Sequence, residues 1–268
     1  MAAGDNLVAT ARDPAQLADL SERYGGQVLT VALDVTDEAA AAAAVEAAVK
    51  RFGRIDLLVN NAGYGNVSSI EDTSFADFRA QIEANLFGTI IMTKAVIALM
   101  RGQGAGHIIQ FSSVGGRIGP AGRGAYSAAK FAVEGFSEVL SKEVAPFGIK
   151  VTVIEPGGFR TDFAGASTVF AEGRQDYAET VGATVRFQRD YNGRQPGDPA
   201  KAAAVIVHIA RLDQPPFRLL LGSDAVSNVE KADAARIEAD REWRAVSVST
   251  DFEPDAEVGP MPWEKKAG

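Results

Sequence analysis

Residues 107–130 read HIIQFSSVGGRIGPAGRGAYSAAK. This stretch begins as a short apolar strand and ends in a helix that carries Tyr126 and Lys130. The strand ends at a pair of serines, and the second of them, Ser113, stands thirteen residues before the tyrosine. Strands followed by helices build parallel sheets, and ligands lie at the carboxyl ends of such strands. We therefore expect these three side chains to lie near one sheet edge.

The rest of the chain repeats this alternation of β-branched strands and alanine-rich helices. The pattern predicts an α/β fold, a Rossmann-like doubly wound parallel sheet formed as a single domain over residues 1–268. Strands are predicted near residues 6–11, 27–33, 55–60, 107–112, 150–155 and 217–221. Helices are predicted near residues 14–24, 38–52, 75–101, 124–147 and 199–212.

Two segments lack this regular alternation. Residues 157–197 have weak periodicity and many aromatic side chains, which favours a substrate lid, with a partly disordered surface loop as the alternative. From residue 245 to residue 268 the chain is polar and interrupted by proline, which predicts a tail.

Composition excludes several classes of function. The 268 residues carry a net charge of −8 and a pI near 4.9, which argues against a nucleic-acid partner. The chain has no cysteine and two scattered histidines, so we expect no disulfide and no metal site. With no apolar run approaching about 18 residues and no basic leader, we expect no membrane partner and a cytoplasmic location.

The spacing of Tyr126 and Lys130 places both side chains on one helix face, one turn apart. A free phenol titrates near 10, so acid/base work near neutral pH requires its phenolate to be stabilised by about 3 pKa units, or about 4 kcal/mol. A unit charge about 4 Å away at an effective dielectric of about 20 supplies about that much. The pair therefore indicates proton transfer, although this spacing alone is typical of surface pairs.

Further motifs accompany this pair. A hydroxyl at Ser113 can donate to a substrate oxygen on which charge develops. Asn85 is a poor helix former within an apolar helical run, which makes a special role plausible, with a solvent-facing side chain as the alternative. The run Asn-Asn-Ala-Gly at 60–63 and the pair Pro-Gly at 156–157 follow strands, although each alone is an ordinary turn signal.

In this order and spacing, the motifs resemble the short-chain dehydrogenase/reductase family over about residues 6–221. The resemblance implies that Tyr126 is the acid/base and that Lys130 lowers its pKa and holds the nicotinamide ribose. It implies that Ser113 orients the substrate oxygen and that Asn85 supports a proton-relay water.

The resemblance also implies a dinucleotide site. The end of the first predicted strand, residues 9–14 with Arg12, is similar to the NADP-preferring branch, which includes hydroxysteroid and retinol dehydrogenase-like members. There an arginine meets the ribose 2′-phosphate, and NAD remains the alternative. The residues implied to bind the cofactor are Arg12, Asp34, Val35, Asn61, Ala62, Gly63, Tyr126, Lys130, Pro156, Gly157 and Thr161.

The function implied is hydride transfer between NADP(H) and the carbonyl or alcohol of an apolar small molecule. Helices 75–101 and 124–147 resemble the family's dimer helices, which implies a homodimer or homotetramer. The alternatives are a cofactor-impaired or non-catalytic nucleotide sensor on the same fold, a methyltransferase, and an extended-branch epimerase or dehydratase. The last two fit less well, because a methyltransferase has no use for the Tyr-Lys pair and an extended enzyme needs a larger C-terminal domain.

One expected element has no counterpart in the sequence. The family begins with a strand, a Thr-Gly-x-x-x-Gly-x-Gly turn and a helix whose N-terminus seats the pyrophosphate. The one glycine run that could suggest such a turn, residues 102–106, follows a helix and precedes a strand, which is the reverse order. We therefore expect the first strand and crossover helix to be missing, a true start upstream of Met1, and poor binding of NADPH by the chain as given.

Overall fold

The computed structural model describes residues 4–165, 168–171, 173–252 and 261–264. It divides into two compact units, Met1–Ala225 and Val226–Gly268. The first unit contains all of the strands described below. In the second unit a helix continues from Val226, and the Trp243 and Trp263 rings lie 6.1 Å apart between centroids.

All strand pairs in the described residues are parallel. The strands are β1 Leu7–Ala11, β2 Val28–Ala32, β3 Leu57–Asn60, β4 Gly65–Val67, β5 Gly106–Phe111, β6 Ile149–Pro156, β7 Thr168–Phe170 and β8 Arg218–Leu221. They form a four-stranded sheet in the order β3-β5-β6-β8 and two pairs, β1-β2 and β4-β7. The parallel α/β architecture predicted from the sequence is confirmed.

The helices alternate with these strands. They are α1 Ala18–Tyr24, α2 Glu38–Phe52, α3 Phe75–Ile82, α4 Gly88–Gln103, α5 Gly124–Val144, α6 Val181–Tyr191, α7 Pro199–Ile209 and α8 Ser223–Val248. A π-helical turn, Glu83–Phe87, joins α3 to α4. The stretch Phe75–Gln103 is long and apolar enough to cross a membrane by length and composition, a test that core helices of soluble proteins also pass.

Side chains of successive residues on β5 pack against helices on opposite faces of the sheet, as the alternation of a strand requires. Ile108 is fully buried in a cluster with Val96 of α4 and Leu140 of α5. Ile109 is fully buried in a second cluster with Ile209 of α7. The sheet is therefore covered by helices on both faces, which makes it doubly wound.

The four-stranded sheet and the β1-β2 pair are not hydrogen-bonded to each other. Within the described part of the chain, β1 pairs with β2 alone and β3 pairs with β5 alone. Apolar side chains on these two strands are partly exposed, with Leu7 and Leu57 at 38% and Val59 at 42%. Strands β1 and β3 therefore belong to separate sheets.

Two regions differ from the sequence-based expectation in detail. The segment 157–197 contains β7 and α6, so its described residues include regular structure. Helix α8 was not predicted, and it continues to Val248, past residue 245 where the tail was expected. Its residues favour a helix through the intrinsic propensity of Ala, Glu, Lys and Arg and not through an apolar stripe, which explains the missed prediction.

Candidate active site

The carboxyl ends of β5 and the start of α5 bring the predicted catalytic side chains together. Ser113 follows β5 in extended conformation, and its hydroxyl accepts a hydrogen bond of 3.0 Å from the Gly115 amide. Tyr126 lies in the first turn of α5 with 6% of its surface exposed, and the Ser113 side chain lies close enough to its phenol to act on its pKa. The serine and the tyrosine therefore share one buried site, as the spacing predicted.

Lys130 lies one turn further along the same helix face. It is 5% exposed, and its ammonium donates a 2.8 Å hydrogen bond to the Phe111 carbonyl at the end of β5. Its Nζ stands 5.8 Å from the centroid of the Tyr126 ring. Residues one or two turns apart on α5, including Ala129 and Val133, are buried too, so the apolar stripe of the helix holds the pair against the sheet.

Burial dominates the titration of both groups. It raises the pKa of the Tyr126 phenol, and the hydrogen bond from Ser113 and the nearby Arg123 guanidinium oppose that rise. Burial lowers the pKa of Lys130 to about 8, and Glu134 opposes the fall. The sequence predicted that Lys130 lowers the pKa of Tyr126. In the structure the pKa of Tyr126 is raised, and the cation that opposes this rise is Arg123.

Asn85 lies in the π-helical turn between α3 and α4 and is fully buried. Its Nδ2 donates to the carbonyl oxygens of Tyr64 and Gln81, each at 3.0 Å. Its Oδ1 is buried without a hydrogen-bond partner in the described residues. Single π-helical turns within α-helices often mark functional sites. Here the turn holds Asn85 Oδ1, a buried acceptor without a donor in the described residues.

The absence of a side chain at Gly63 lets these groups meet. A Cβ on Gly63 would stand 2.5 Å from Asn85 Oδ1 and 3.7 Å from Lys130 Nζ. Any larger residue at this position would therefore push the asparagine away. The neighbouring Asn61 and Ala62 follow β3 and are exposed, as is Gly63 itself.

Asn60 has a structural role in the site. Its Nδ2 donates to Gln110 Oε1 at 2.8 Å, to Thr93 Oγ1 at 3.1 Å and to the Thr89 carbonyl at 3.3 Å. These bonds join β3, β5 and α4 in a buried polar network. The network fixes the strand end from which residues 61–63 emerge.

The remaining predicted cofactor residues lie at other strand ends. Arg12 is exposed just after β1, and it contributes to the lowered pKa of Asp34, whose main cause is the pair of hydrogen bonds from Thr36. Val35 packs so closely against Gly88 that a Cβ there would lie 2.5 Å from its Cγ2. These contacts hold the loop after β2 against the start of α4.

The end of β6 is tied to β8. The Gly157 amide donates to the Leu221 carbonyl at 2.9 Å, directly after Pro156. Thr161 is exposed, and its hydroxyl caps a short 3-10 turn by accepting from the Phe163 amide at 3.4 Å.

The donors and acceptors of the site fit a nicotinamide ribose. Asn85 Oδ1 is an unused acceptor, and the Lys130 ammonium carries three protons, of which one is used by Phe111. A hydroxylated ligand beside Gly63 can donate to the first group and accept from the second.

Two residues of the site were missed at the level of sequence. Arg123 is 7% exposed, and its Cζ lies 5.4 Å from the centroid of the Tyr126 ring. Phe163 contributes a second ring, 5.7 Å from that of Tyr126. The position of Arg123 three residues before Tyr126 is a signal that could have been used, whereas the contact of Phe163 crosses 37 residues of chain and depends on the tertiary structure.

Comparison with known proteins identifies the family of this chain. The model of the family described as short chain dehydrogenase matches residues 1–170. The oxidoreductase BOA17 of Botryotinia fuckeliana is 46% identical over 248 residues, which cover 92% of this chain and 90% of that protein. A short-chain dehydrogenase from Streptomyces avermitilis, known as a crystal structure, has a TM-score of 0.88 at 42% identity, covering 94% of this chain and 92% of that one.

A more distant solved structure carries a ligand. It is a metagenomic short-chain oxidoreductase in complex with NADP, with a TM-score of 0.55 and 30% identity. The match covers 58% of this chain and 72% of the other. Taken with the matches above and with the buried Ser-Tyr-Lys site, the family is established, and this chain is an oxidoreductase of the short-chain dehydrogenase family, whose members use a nicotinamide cofactor.

Proposed function

We propose that this chain transfers a hydride between NADP(H) and the carbonyl or alcohol carbon of a small molecule with an apolar body. The observation that carries the proposal is the buried contact of Ser113 with Tyr126, one helical turn from Lys130. This arrangement supplies a proton donor, a polarising hydroxyl and a cation within one site.

The protein residues handle the proton. The cofactor, when bound in its reduced form, supplies a hydride to the carbonyl carbon. Tyr126 donates its phenolic proton to the carbonyl oxygen, so a C–H and an O–H bond form as the C=O π bond breaks. The Ser113 hydroxyl hydrogen-bonds the same oxygen while negative charge develops on it. Because burial raises the pKa of Tyr126, the phenol keeps its proton at neutral pH and is suited to donate it in the reductive direction.

Lys130 and Asn85 return a proton to the Tyr126 phenolate after it has given up its own. A pKa of about 8 lets the Lys130 ammonium give up and regain a proton near neutral pH. The unused Asn85 Oδ1 can hold a water molecule or a ligand hydroxyl next to it. The phenolate left on Tyr126 is reprotonated through this pair, which completes the cycle.

The preference for NADP(H) over NAD(H) rests on Arg12. Its guanidinium is exposed at the end of β1, where a ribose 2′-phosphate would be met by a charge-assisted hydrogen bond. The complex of a related oxidoreductase with NADP supports the same choice. The aromatic residues of segment 157–197, among them Phe163 beside Tyr126, support an apolar substrate body.

The test is steady-state reduction of a panel of cyclic ketones with NADPH and with NADH, together with cofactor binding by calorimetry. Tyr126→Phe should lower kcat at least about 100-fold without changing the melting temperature, because one hydroxyl is lost and no core volume. Tyr24→Phe on α1 is the matched control. Arg12→Ala should weaken NADPH about 10- to 100-fold more than NADH, and Arg23→Ala should not.

Each arm can contradict the proposal. Retention of more than about a tenth of the activity by Tyr126→Phe would remove its acid/base role. Equal losses for the two cofactors would remove Arg12 from specificity. Tight cofactor binding without reduction of any ketone would favour the nucleotide sensor.

A further inference from the structure

Arg123 is a buried cation that no carboxylate among the described residues neutralises. It is 7% exposed, and none of the ion pairs among those residues includes it. Its Nη2 donates to the Gln188 side-chain oxygen of α6, and its Nη1 has no hydrogen-bond partner in that part of the chain. A buried charge is normally paired, so this guanidinium lacks part of the compensation that it requires.

The packing around Arg123 Nη1 excludes an anion from outside the protein. This nitrogen is buried, and a Cβ on Gly65 of β4 would already stand 2.5 Å from it. The negative charge that compensates Arg123 must therefore come from a group that is already in contact with it.

Tyr126 is such a group, because its phenol becomes an anion when it gives up its proton. The Arg123 Cζ lies 5.4 Å from the centroid of the Tyr126 ring. The electrostatic effect is mutual. Burial lowers the pKa of Arg123 and Tyr126 opposes this fall, while Arg123 opposes the raised pKa of Tyr126. Each charge therefore favours the other inside the packed site.

The other groups that face Tyr126 do not carry a negative charge. Phe163 contributes an apolar ring and Ser113 a neutral hydroxyl, while Lys130 adds a second cation whose Nζ is 5.8 Å from the ring centroid. The acidic residues of α3, the π-helical turn and α6, and the acid next to Phe163, are exposed: Asp77, Glu83, Asp190 and Asp162.

Two buried acids, on α5 and on β6, are paired with other cations. Glu134 Oε2 lies 3.0 Å from Arg218 Nε, and Glu155 Oε2 lies 3.2 Å from Arg117 Nη1. The Tyr126 phenolate is therefore the anion that this site can form beside Arg123.

We propose that Arg123 is a positioning residue of the acid/base reaction, which stabilises the Tyr126 phenolate and is itself held in place by Gln188 of the predicted lid. The inference rests on the proposed function, in which Tyr126 donates the proton. When the phenolic O–H bond breaks, its electron pair stays on the Tyr126 oxygen and its proton goes to the substrate oxygen. Arg123 gains a counter-ion in that step, and return of a proton to the phenolate restores the starting state.

The neutral amide at position 188 leaves the charge of Arg123 to Tyr126. An amide oxygen accepts a hydrogen bond from the guanidinium without cancelling its charge, whereas a carboxylate would form an ion pair with it. Gln188→Glu should therefore have two opposite effects. It should stabilise the fold by pairing Arg123, and it should make Tyr126 a weaker acid.

The first experiment follows the ionisation of Tyr126 itself. In protein labelled with carbon-13 at tyrosine Cζ, the Tyr126 resonance is assigned by its absence from Tyr126→Phe, and its shift is followed by NMR as the pH rises. Gln188→Glu should raise the midpoint by about one pH unit and also raise the melting temperature. It should move the pH profile of kcat for oxidation of a cyclic alcohol, which needs the phenolate, upward by the same amount. Gln175→Glu, which adds the same charge at an exposed position of the predicted lid, should change neither profile.

The second experiment removes the cation. Arg123→Gln should raise the same midpoint by about one pH unit or more and lower kcat for ketone reduction about tenfold, with KM changed less than about twofold. Arg123→Lys should restore part of both. Arg79→Gln, which removes an exposed arginine that lies over the Phe75 ring, should leave both unchanged.

The outcomes separate this inference from the proposed function. If the Tyr126 titration moves in Arg123→Gln and Gln188→Glu but no ketone is reduced, the inference stands and the proposed reaction is wrong. If ketones are reduced with the same pH profile in wild type and in both variants, the reaction stands and the inference is overturned. If Arg123→Gln loses its cooperative melting transition, Gln188→Glu decides alone. A higher melting temperature with a moved Tyr126 titration supports the inference, and an unmoved titration contradicts it.

Discussion

At the scale of single residues, burial has shifted several titratable groups toward their neutral forms, among them Tyr126, Lys130 and His107. It raises the pKa of Tyr126, lowers that of Lys130 to about 8 and lowers that of His107 to about 4. His107 lies in β5 and is 4% exposed, with its Nε2 at 2.9 Å from Thr152 Oγ1. Because the Thr152 hydroxyl donates its proton to the Pro216 carbonyl, it accepts from His107, which therefore carries its proton on Nε2.

This burial predicts a pH dependence of stability. The pKa of His107 is about 4 in the folded protein and 6.5 for an exposed side chain, so the unfolded chain binds more protons between these limits. Neutral His107 therefore contributes about 2 to 3 kcal/mol to the free energy of unfolding. This contribution is present in full above about pH 6.5 and is lost as the pH falls toward 4. Urea unfolding at about pH 7.5 and 4.5 should show a smaller loss for His107→Gln than for wild type, by that amount.

The raised pKa of Glu155 acts in the opposite direction over the same range, because the folded state binds the additional proton there. It is present in both proteins, so it cancels in the comparison of His107→Gln with wild type. An equal loss of stability in the two proteins would contradict the prediction.

At the scale of elements, the ends of α2 lie at residue types that favour helix ends. Helix α2 begins after Asp37, whose carboxylate accepts from the amides of Ala39 at 2.8 Å and Ala40 at 3.0 Å. It ends at Gly53, which has φ of 82°. Both bounds agree with the predicted helix over 38–52. The buried face consists of Ala41, Ala44 and Ala48, so the helix packs closely on its neighbours.

The capping interaction predicts the effect of a substitution. Asp37→Ala leaves two helix amides without their acceptor and should lower the free energy of unfolding by about 1 kcal/mol, whereas Asp37→Asn should change it by only a few tenths. Urea titration measures both. The same loss in both variants would show that charge and not the cap contact stabilises this end.

At the scale of the whole molecule, stability is distributed unevenly between the sheets of the first unit. The four-stranded sheet buries Ile108, Ile109, Val153 and Ile154 completely. Strand β1 buries none of its residues and pairs on one edge within the described chain. A two-stranded sheet with little burial is only marginally stable on its own.

Hydrogen exchange should reveal this difference. Amides of β1 should exchange at least about tenfold faster than those of β5 and β6, which corresponds to an opening free energy lower by about 1.4 kcal/mol. Mass spectrometry of peptides that cover 7–11, 106–111 and 149–156 measures it. Uniform protection across the three peptides would mean that β1 and the central strands open together as one unit.

Much of the fold follows from local pattern. Apolar alternation and helical periodicity depend on neighbours within a few residues, so the strands around residues 107 and 150 and the helices with caps at Asp37 and Asp198 were predicted within a few positions. The Tyr126 and Lys130 spacing likewise needs only one helical turn. The family resemblance follows from these motifs in their order along the chain.

The chemistry of the site depends on the tertiary structure, because the burial and the partners of each side chain depend on which distant elements meet. The tertiary structure placed Asn85 in a π-helical turn against Gly63, reversed the expected direction of the Tyr126 pKa, and left β1 and β3 unpaired with each other. It also brought Arg123 into contact with both Tyr126 and Gln188, two residues that are 62 positions apart along the chain. A sequence pattern records which residues favour burial, whereas the free energy of a buried charge depends on every group packed around it.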